Sequence, residues 1–152
     1  MAIAIFGAPS FETKYARARI PRLIDGQWVM LPPDQVLAQR MVHVHPGELL
    51  KAMYDNSLRT VILDVRSEAD YNLFHIRSAV NVPLAMLPSY VPTLLEQQSL
   101  NTVYILVSND ESAATQAWKI LVAESMSNVY IRWGCQSLDT TVWRCRRSDQ
   151  AA

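Results

Sequence analysis

Five stretches of this chain are apolar at almost every position, and polar or turn-forming residues bound each of them. Three are long enough, without alternation of polar and apolar positions, to predict strands that are buried on both faces. The other two are shorter and predict a short strand at 42–44 and another buried strand at 79–82. The predicted strands cover 42–44, 60–65, 79–82, 102–107 and 128–133.

The segments between these strands carry helix signals. Apolar residues at the spacing of one helix face, or a proline in a first turn, predict most of the helices. Pro88 and Pro92 argue against a single helix over 84–99, because proline inside a helix removes a hydrogen bond, so we expect a turn and then a helix. The predicted helices cover 46–56, 92–98, 111–124 and a closing turn at 137–143.

Alternation of buried strands with helices predicts an α/β fold. We expect an open parallel sheet of about five strands that is flanked by helices on both faces. The predicted domain occupies 41–147, followed by a C-terminal tail at 148–152. Ligands of open parallel sheets bind beyond the carboxyl ends of the strands, so candidate chemistry is sought there.

Residues 1–40 form a predicted N-terminal extension, or arm, which differs from the rest of the chain. Apolar residues on both sides of Asp25-Gly26 predict a small hairpin. Two interpretations stay open for the arm: it packs on its own domain, or it docks on a protein partner or a second copy of the chain. The second is considered because Ile3, Ile5 and Phe6 need cover from water.

The stretch 61–83 carries a motif that resembles the rhodanese superfamily. A strand ends in Asp-x-Arg, His-Ile follows, and the motif closes with Ala-x-Asn-x-Pro. The pattern is altered at Phe74, where the family usually has Gly, and near Ser78. The resemblance implies a rhodanese-like fold and suggests framework roles at the strand end. The matching residues are Asp64, Arg66, Glu68, Tyr71, His75, Ile76, Ala79, Asn81 and Pro83.

Active members of that superfamily carry a nucleophilic cysteine in a loop after a central strand. Backbone N–H groups of the loop stabilise an anionic persulfide there. The equivalent stretch here contains no Cys, Gly or Arg. Ser108 and Glu111 have the spacing of a capping box, which would occupy those N–H groups, and Asp110 adds negative charge. The predicted vestigial loop consists of Val107, Ser108, Asn109, Asp110, Glu111 and Ser112.

The leading hypothesis is therefore a catalytically inactive rhodanese-like domain that acts as a protein-binding or structural subunit of a larger assembly. One alternative is a sulfurtransferase that uses a non-standard cysteine, for which Cys135 is the weak candidate. Another is a small-ligand sensor that uses the vestigial pocket. Cys145 lies among arginines that would lower the pKa of its thiol, but it is expected in a terminal tail without a substrate cavity.

Several residues are given structural roles in preference to chemical ones. The framework residues Asp64, Arg66, Glu68, His75 and Asn81 are expected to hold the strand end, with Asp64 paired to Arg66 or a neighbour. His43 and His45 supply only half of a zinc site, and no Cys or carboxylate at suitable spacing completes it. We therefore expect no metal and no cofactor.

Composition argues against a nucleic-acid-binding protein, a membrane protein and a disulfide-rich protein. Fourteen basic and fourteen acidic residues balance, which gives no electrostatic footprint for nucleic acid. No apolar run approaches the roughly 20 residues of a membrane span. Two cysteines are too few for a disulfide scaffold. A cytoplasmic location is expected, with an exported protein whose signal has been removed as the alternative.

Overall fold

The computed structural model describes residues 7–132 and 143–145 of the chain. Strands and helices alternate along the described residues, and a short 3₁₀ turn covers Leu84–Met86. The strands are β1 (Ile20–Ile24), β2 (Gln27–Leu31), β3 (His43–Val44), β4 (Arg59–Asp64), β5 (Phe74–Ile76), β6 (Val80–Asn81), β7 (Thr102–Val107), β8 (Val129–Arg132) and β9 (Trp143–Cys145). The helices are α1 (Phe11–Arg17), α2 (Pro33–Ala38), α3 (Pro46–Tyr54), α4 (Glu68–Leu73), α5 (Leu87–Gln97) and α6 (Glu111–Ala123).

A five-stranded parallel sheet lies at the centre, in the order β3-β8-β7-β4-β6. Neighbouring positions on each strand point to opposite faces, so the apolar runs of β4 and β7 supply two cores. Leu63 and Leu106 belong to one core, whereas Ile62 and Ile105 belong to the other. The predicted α/β architecture with a parallel sheet is confirmed.

Helix α5 differs from the prediction, because it begins at Leu87 and contains Pro92 in its interior. Pro88 is tolerated in the first turn, where its missing N–H would have no partner within the helix. A proline inside a helix costs about 3 kcal/mol. Burial of Leu87, Val91 and Leu94 outweighs that cost, since each buried side chain of this size contributes roughly 1.5–3 kcal/mol.

The predicted hairpin around Asp25-Gly26 is confirmed as the antiparallel pair β1–β2. Asp25 and Gly26 have positive φ values of 49° and 79°, as expected for a two-residue type I′ turn. Ile20 of β1 and Leu31 of β2 are buried in the same core as the central sheet, together with Val36 of α2. The described part of the arm therefore packs on its own domain.

Helix α1 joins this N-terminal unit to the rest of the domain. The hydroxyl of Tyr15 donates a hydrogen bond to the Asp34 carboxylate at 2.8 Å, and Lys14 forms an ion pair with Glu124 at 2.7 Å. Burial and the bond to the Asp34 carboxylate raise the pKa of Tyr15. Residues 1–6, which include the apolar residues that need cover, lie outside the described part of the chain.

The C-terminal region corrects one expectation. Trp143 begins strand β9, which pairs antiparallel with β5, so the helical turn predicted at 137–143 is wrong at this residue. Strand β5 has no neighbour in the central sheet, and pairing with β9 satisfies its backbone groups. Cys145 therefore belongs to a strand and not to a terminal tail. Residues 133–142 and 146–152, with Cys135 among them, lie outside the described residues.

The structure also bears on membrane association. None of the described helices combines the length and the apolar character that crossing a bilayer requires. The domain boundaries at 40/41 and 147/148 remain predictions.

Candidate functional site

The carboxyl end of β4 carries a buried ion pair. Asp64 is the last residue of the strand, and the guanidinium of Arg66 donates to both of its carboxylate oxygens, at 2.9 Å from Nε to Oδ1 and 2.7 Å from Nη2 to Oδ2. The backbone N–H of Arg66 also donates to Asp64 Oδ1 at 3.1 Å. The predicted pairing of these two residues is confirmed, and neither side chain is accessible to more than a trace of water.

Two neighbouring segments are attached to this pair. Arg66 Nη2 donates to the carbonyl of Phe74 at 2.6 Å, and the guanidinium carbon lies 4.8 Å from the centroid of the Phe74 ring. The side-chain amide of Asn81 donates to the backbone carbonyls of Asp64 and Arg66 at 3.1 and 3.0 Å. The residue that replaces the family's usual glycine, Phe74, thus covers the arginine with an aromatic face.

His75 belongs to a second small network. Its ring stacks on Tyr71 with the centroids 3.9 Å apart. Its Nδ1 lies 2.9 Å from the Tyr71 carbonyl and donates to it in the tautomer that carries the hydrogen on Nδ1. The Tyr71 hydroxyl donates to the carbonyl of Ala79 at 2.7 Å. Ser78 has a φ of 71°, in the left-handed region that favours glycine. These contacts hold the turn between β5 and β6.

The loop that follows β7 contains Ser108, Asn109 and Asp110, and α6 begins directly after it. Asp110 is the N-cap of this helix, because its carboxylate accepts from the N–H of Ala113 at 2.8 Å. The expected capping box of Ser108 with Glu111 is therefore wrong. Asp is at least as good an N-cap as Ser, and Ser108 is buried, with its hydroxyl 3.4 Å from the Asp110 nitrogen.

Asn109 connects this loop to the ion pair. Its amide oxygen lies 3.4 Å from Arg66 Nη1, and its amide nitrogen donates to the carboxylate of Asp70 at 3.2 Å. The polar side chains of the loop thus contact the Arg66 guanidinium, the Asp70 carboxylate and backbone N–H groups at the start of α6. The carboxylate of Asp110 therefore supplies a negative charge at the N-terminus of α6.

Glu111 has partners that the sequence did not suggest. Its Oε1 accepts from Arg40 Nη1 at 2.8 Å and lies 3.1 Å from His43 Nε2. The hydrogen bond from Arg40 holds the pKa of Glu111 below its usual value. Burial lowers the pKa of His43, the positive charge of Arg40 lowers it further, and the Glu111 carboxylate opposes both effects. His43 is therefore favoured in its neutral form.

Glu68 lies apart from the other framework residues. It begins α4 and lines a groove of about 520 Å³ outside the edge strand β6. The groove is connected to the ion pair through Asn81, which lines it and donates to the backbone carbonyls of Asp64 and Arg66. Its lining residues are Glu68, Tyr71, Asn72, Asn81, Pro83 and Met86.

The histidines that might have begun a metal site take separate roles. His43 contacts Glu111, whereas His45 is the N-cap of α3 and accepts at Nδ1 from the N–H of Gly47 at 3.2 Å. Within 7–132 and 143–145, no group of three or more His, Cys, Asp or Glu side chains could hold a metal ion.

Sequence reasoning placed Asp64, Arg66 and Asn81 in one network, and the structure brings them together. It did not predict the contacts of Arg66 with Phe74 and Asn109, which are 8 and 43 positions away along the chain. Nor did it predict the contact of Arg40 with Glu111, 71 positions away. The one signal in the sequence was Phe74 itself, which stands where the family usually has glycine. Cys135, the weak candidate for catalysis, lies outside the described residues.

Comparison with known proteins identifies the fold family of this site. The family model for the rhodanese-like domain matches residues 45–134, more than half of the chain. The match begins at the N-cap of α3 and extends past β8, so it includes the strand end, the loop after β7 and the central helices.

One similar protein, from Porphyra purpurea, is described as a "Probable molybdopterin-synthase adenylyltransferase". It is 31% identical over 125 residues, which is 76% of this chain and 32% of that protein. The chain thus spans about a third of the length of this relative. The similarity is to one segment of a larger protein.

Solved structures support the same fold. A human single-domain sulfurtransferase has a TM-score of 0.52 at 18% identity, over 61% of this chain and 89% of that one. A rhodanese-like domain protein of Staphylococcus aureus has a TM-score of 0.51 at 20% identity, over 66% and 94% of the two chains. At these identities the comparison concerns the fold alone.

Proposed function

The chain belongs to the rhodanese-like domain family, and from this premise we propose that it is a catalytically silent member. In this proposal it acts as a protein-binding or structural subunit of a larger assembly. The loop after β7 decides between silence and activity, because active members carry their cysteine and stabilise the sulfur anion there.

The observation that carries the proposal is the position of Asp110. Its carboxylate accepts from the Ala113 N–H at 2.8 Å and so occupies the N-terminus of α6. A helix N-terminus favours one negative charge through its free N–H groups and dipole. With that charge already supplied by the protein, a persulfide or thiosulfate at the same place would meet repulsion. The stretch 107–112 also contains no cysteine, so it offers no thiol on which a persulfide could form.

The environment of Arg66 supports the proposal further. A free guanidinium at this edge of the sheet would attract an anionic substrate. Here its Nε and Nη2 donate to Asp64, and Nη2 also donates to the Phe74 carbonyl. Because the pair is buried and its charges cancel, Arg66 contributes to holding three segments together and has little field to offer a ligand.

The kind of assembly is suggested by the Porphyra purpurea relative. This chain corresponds to about a third of that protein, which is described as an adenylyltransferase. We extend the proposal to a partner of the same class: this domain would work beside an adenylyltransferase that the rest of the relative represents. A complex with such an enzyme, purified at fixed stoichiometry from the native source through a tag on either protein, would support this extension.

The competing function is a sulfurtransferase that uses Cys135, and an assay of thiocyanate formation from thiosulfate and cyanide separates the two. Catalytic silence predicts that the wild-type protein and the Cys135→Ala variant both give the rate of the protein-free blank. Turnover that Cys135→Ala abolishes and the matched Cys145→Ala variant retains would overturn the proposal and move the site to Cys135.

A small-ligand sensor that uses the vestigial pocket is the second alternative. The groove lined by Glu68 and Tyr71 offers a different place for a ligand, because no residue of 107–112 lines it. Its acidic side chain would suit an amine or another cation. Calorimetric titration with simple amines, compared between the wild type and Glu68→Gln, tests this alternative. Binding that the substitution abolishes would favour the sensor.

A further inference from the structure

Strand β2 is an exposed edge strand without the usual protection. Within the described residues it pairs only with β1, in a two-stranded sheet that is separate from the central sheet. Trp28, Val29 and Met30 are 73%, 36% and 57% exposed. Natural edge strands are commonly protected by a lysine, a proline or a bulge. The strand Gln27–Leu31 contains no charged residue and no proline.

The register of the hairpin decides which backbone groups of β2 are free. In an antiparallel pair with a two-residue turn, the residues that flank the turn exchange two hydrogen bonds, and bonded and non-bonded pairs alternate from there. Ile24 pairs with Gln27 and Arg22 with Val29 at bonded positions. The N–H and C=O groups of Trp28 and Met30 therefore point away from β1, towards the open edge.

We propose that this edge binds the β2 strand of a second copy of the chain, antiparallel and centred on Val29. In this register Trp28 of one copy lies opposite Met30 of the other, and the relationship repeats across the two-fold axis. Each of these two pairs exchanges two hydrogen bonds between the outward-pointing groups. Val29 faces its own symmetry mate. A four-stranded sheet with strand order β1-β2-β2-β1 results.

Because β2 carries no charge, a second copy can pair with this edge without electrostatic repulsion. The paired strands bring no like charges together, and Trp28 and Met30 of both copies form one apolar face with Leu23, which is 59% exposed. The opposite edge is unsuitable, because Pro21 lacks the N–H that its position would have to donate and Arg22 would lie against its own copy at the axis.

The size of the contact sets its strength. Stable interfaces bury roughly 800 Å² on each partner. Two five-residue strands bury less than this, so we expect a reversible dimer with a dissociation constant of about micromolar or weaker. The inference deepens the binding role proposed above, and for its biological meaning it rests on that role. The two can fail separately, since Cys135-dependent turnover would leave a dimer intact.

Sedimentation of the full chain over a range of concentrations tests the contact, with two matched double variants. W28K/M30K places lysine opposite lysine twice in the proposed register, whereas W28K/M30E places lysine opposite glutamate twice. Both remove the same apolar side chains. We expect W28K/M30E to dimerise roughly tenfold more tightly than W28K/M30K at low salt, because opposite charges directly across a sheet attract and like charges repel.

Cross-linking tests the position of the axis. In a background of Cys135→Ala and Cys145→Ala, Val29→Cys places two thiols about 4.5 Å apart between Cα atoms, which a disulfide can span. Gln27→Cys is the control, because Gln27 lies opposite Leu31 of the partner. Val29→Cys should oxidise to a covalent dimer far faster than Gln27→Cys.

Three results would overturn the proposal. The first is a wild-type chain that stays monomeric at every concentration reached. The second is equal association of W28K/M30K and W28K/M30E, which would indicate apolar association without this register. The third is a monomer that becomes a dimer only when residues 1–6 are deleted, because that segment would then be the native occupant of the edge.

Discussion

Arg66 and Asp64 form a bidentate ion pair, in which the guanidinium donates to both carboxylate oxygens at 2.9 and 2.7 Å. Arg66 is 4% exposed and Asp64 is 0% exposed. The pair joins the end of β4 to β5 through the Phe74 carbonyl and to the loop after β7 through Asn109. The Asp-x-Arg motif, which by resemblance suggests a sulfurtransferase, here connects three segments of the fold.

Asp64→Asn should destabilise the fold strongly. The substitution leaves the buried guanidinium of Arg66 without its counter-charge, and breaking a buried pair in this way costs about 3–5 kcal/mol. Asp70→Asn is the control, because Asp70 is only partly buried and its carboxylate accepts from the Asn109 amide at 3.2 Å. Urea unfolding at neutral pH measures both. A loss below about 1 kcal/mol for Asp64→Asn would show that the pair does not hold the strand end.

Asp110→Ala tests which residue caps α6. Removal of an N-cap side chain costs about 1 kcal/mol, so this variant should lose that much free energy of unfolding. Ser108→Ala should lose less, because the Ser108 hydroxyl makes only a 3.4 Å contact with the Asp110 nitrogen. The opposite order of the two losses would restore Ser108 as the cap.

The strands of the central sheet were predictable because each is a short apolar run between turn-forming residues. A run such as Thr102–Val107 is too short for a buried helix and too apolar for a loop, and the Asp25-Gly26 pair has the backbone freedom that a hairpin turn needs. The pairing of Asp64 with Arg66 was also accessible, since the two residues are close in sequence.

Other features depend on tertiary contacts that sequence spacing does not contain. Pro92 stays inside α5 because Val91 and Leu94 are buried against the core. Glu111 does not complete a capping box, because Arg40 and His43 contact it from 71 and 68 positions away along the chain. Strand β9 forms only because β5 offers it an unpaired edge.

Ile20→Ala should show that the hairpin belongs to the core. Ile20 is 2% exposed, in the same cluster as the central sheet, and truncation of a buried isoleucine costs about 2–5 kcal/mol. Leu23→Ala, on the same strand but 59% exposed, should change stability by less than about 0.5 kcal/mol. Urea unfolding at low protein concentration measures both. Equal, small losses would mean that the hairpin is a dispensable arm.

The free energy of unfolding should fall as the pH drops below the pKa of free histidine. Burial and Arg40 lower the pKa of His43 in the folded state, so the unfolded chain takes up the proton more readily. The stability is full above the unfolded pKa of about 6.5 and is lost as pH falls from there towards the folded pKa. His43→Gln should remove this part of the pH dependence.

Glu111→Gln provides the matched test of the same cluster. The Glu111 carboxylate raises the pKa of His43 against burial and Arg40, so its removal should lower that pKa further. An NMR titration of the His43 ring in the wild type and in Glu111→Gln measures the change. An upward shift in the variant would contradict the arrangement of Arg40, Glu111 and His43.

The central claim is that the chain carries no persulfide-forming site, and intact-mass measurement after incubation with thiosulfate tests it most directly. We predict that the mass of the wild-type chain does not change, as for the Cys135→Ala variant. The gain of one sulfur atom by the wild type, absent in Cys135→Ala and present in Cys145→Ala, would contradict the account and establish Cys135 as a sulfur acceptor.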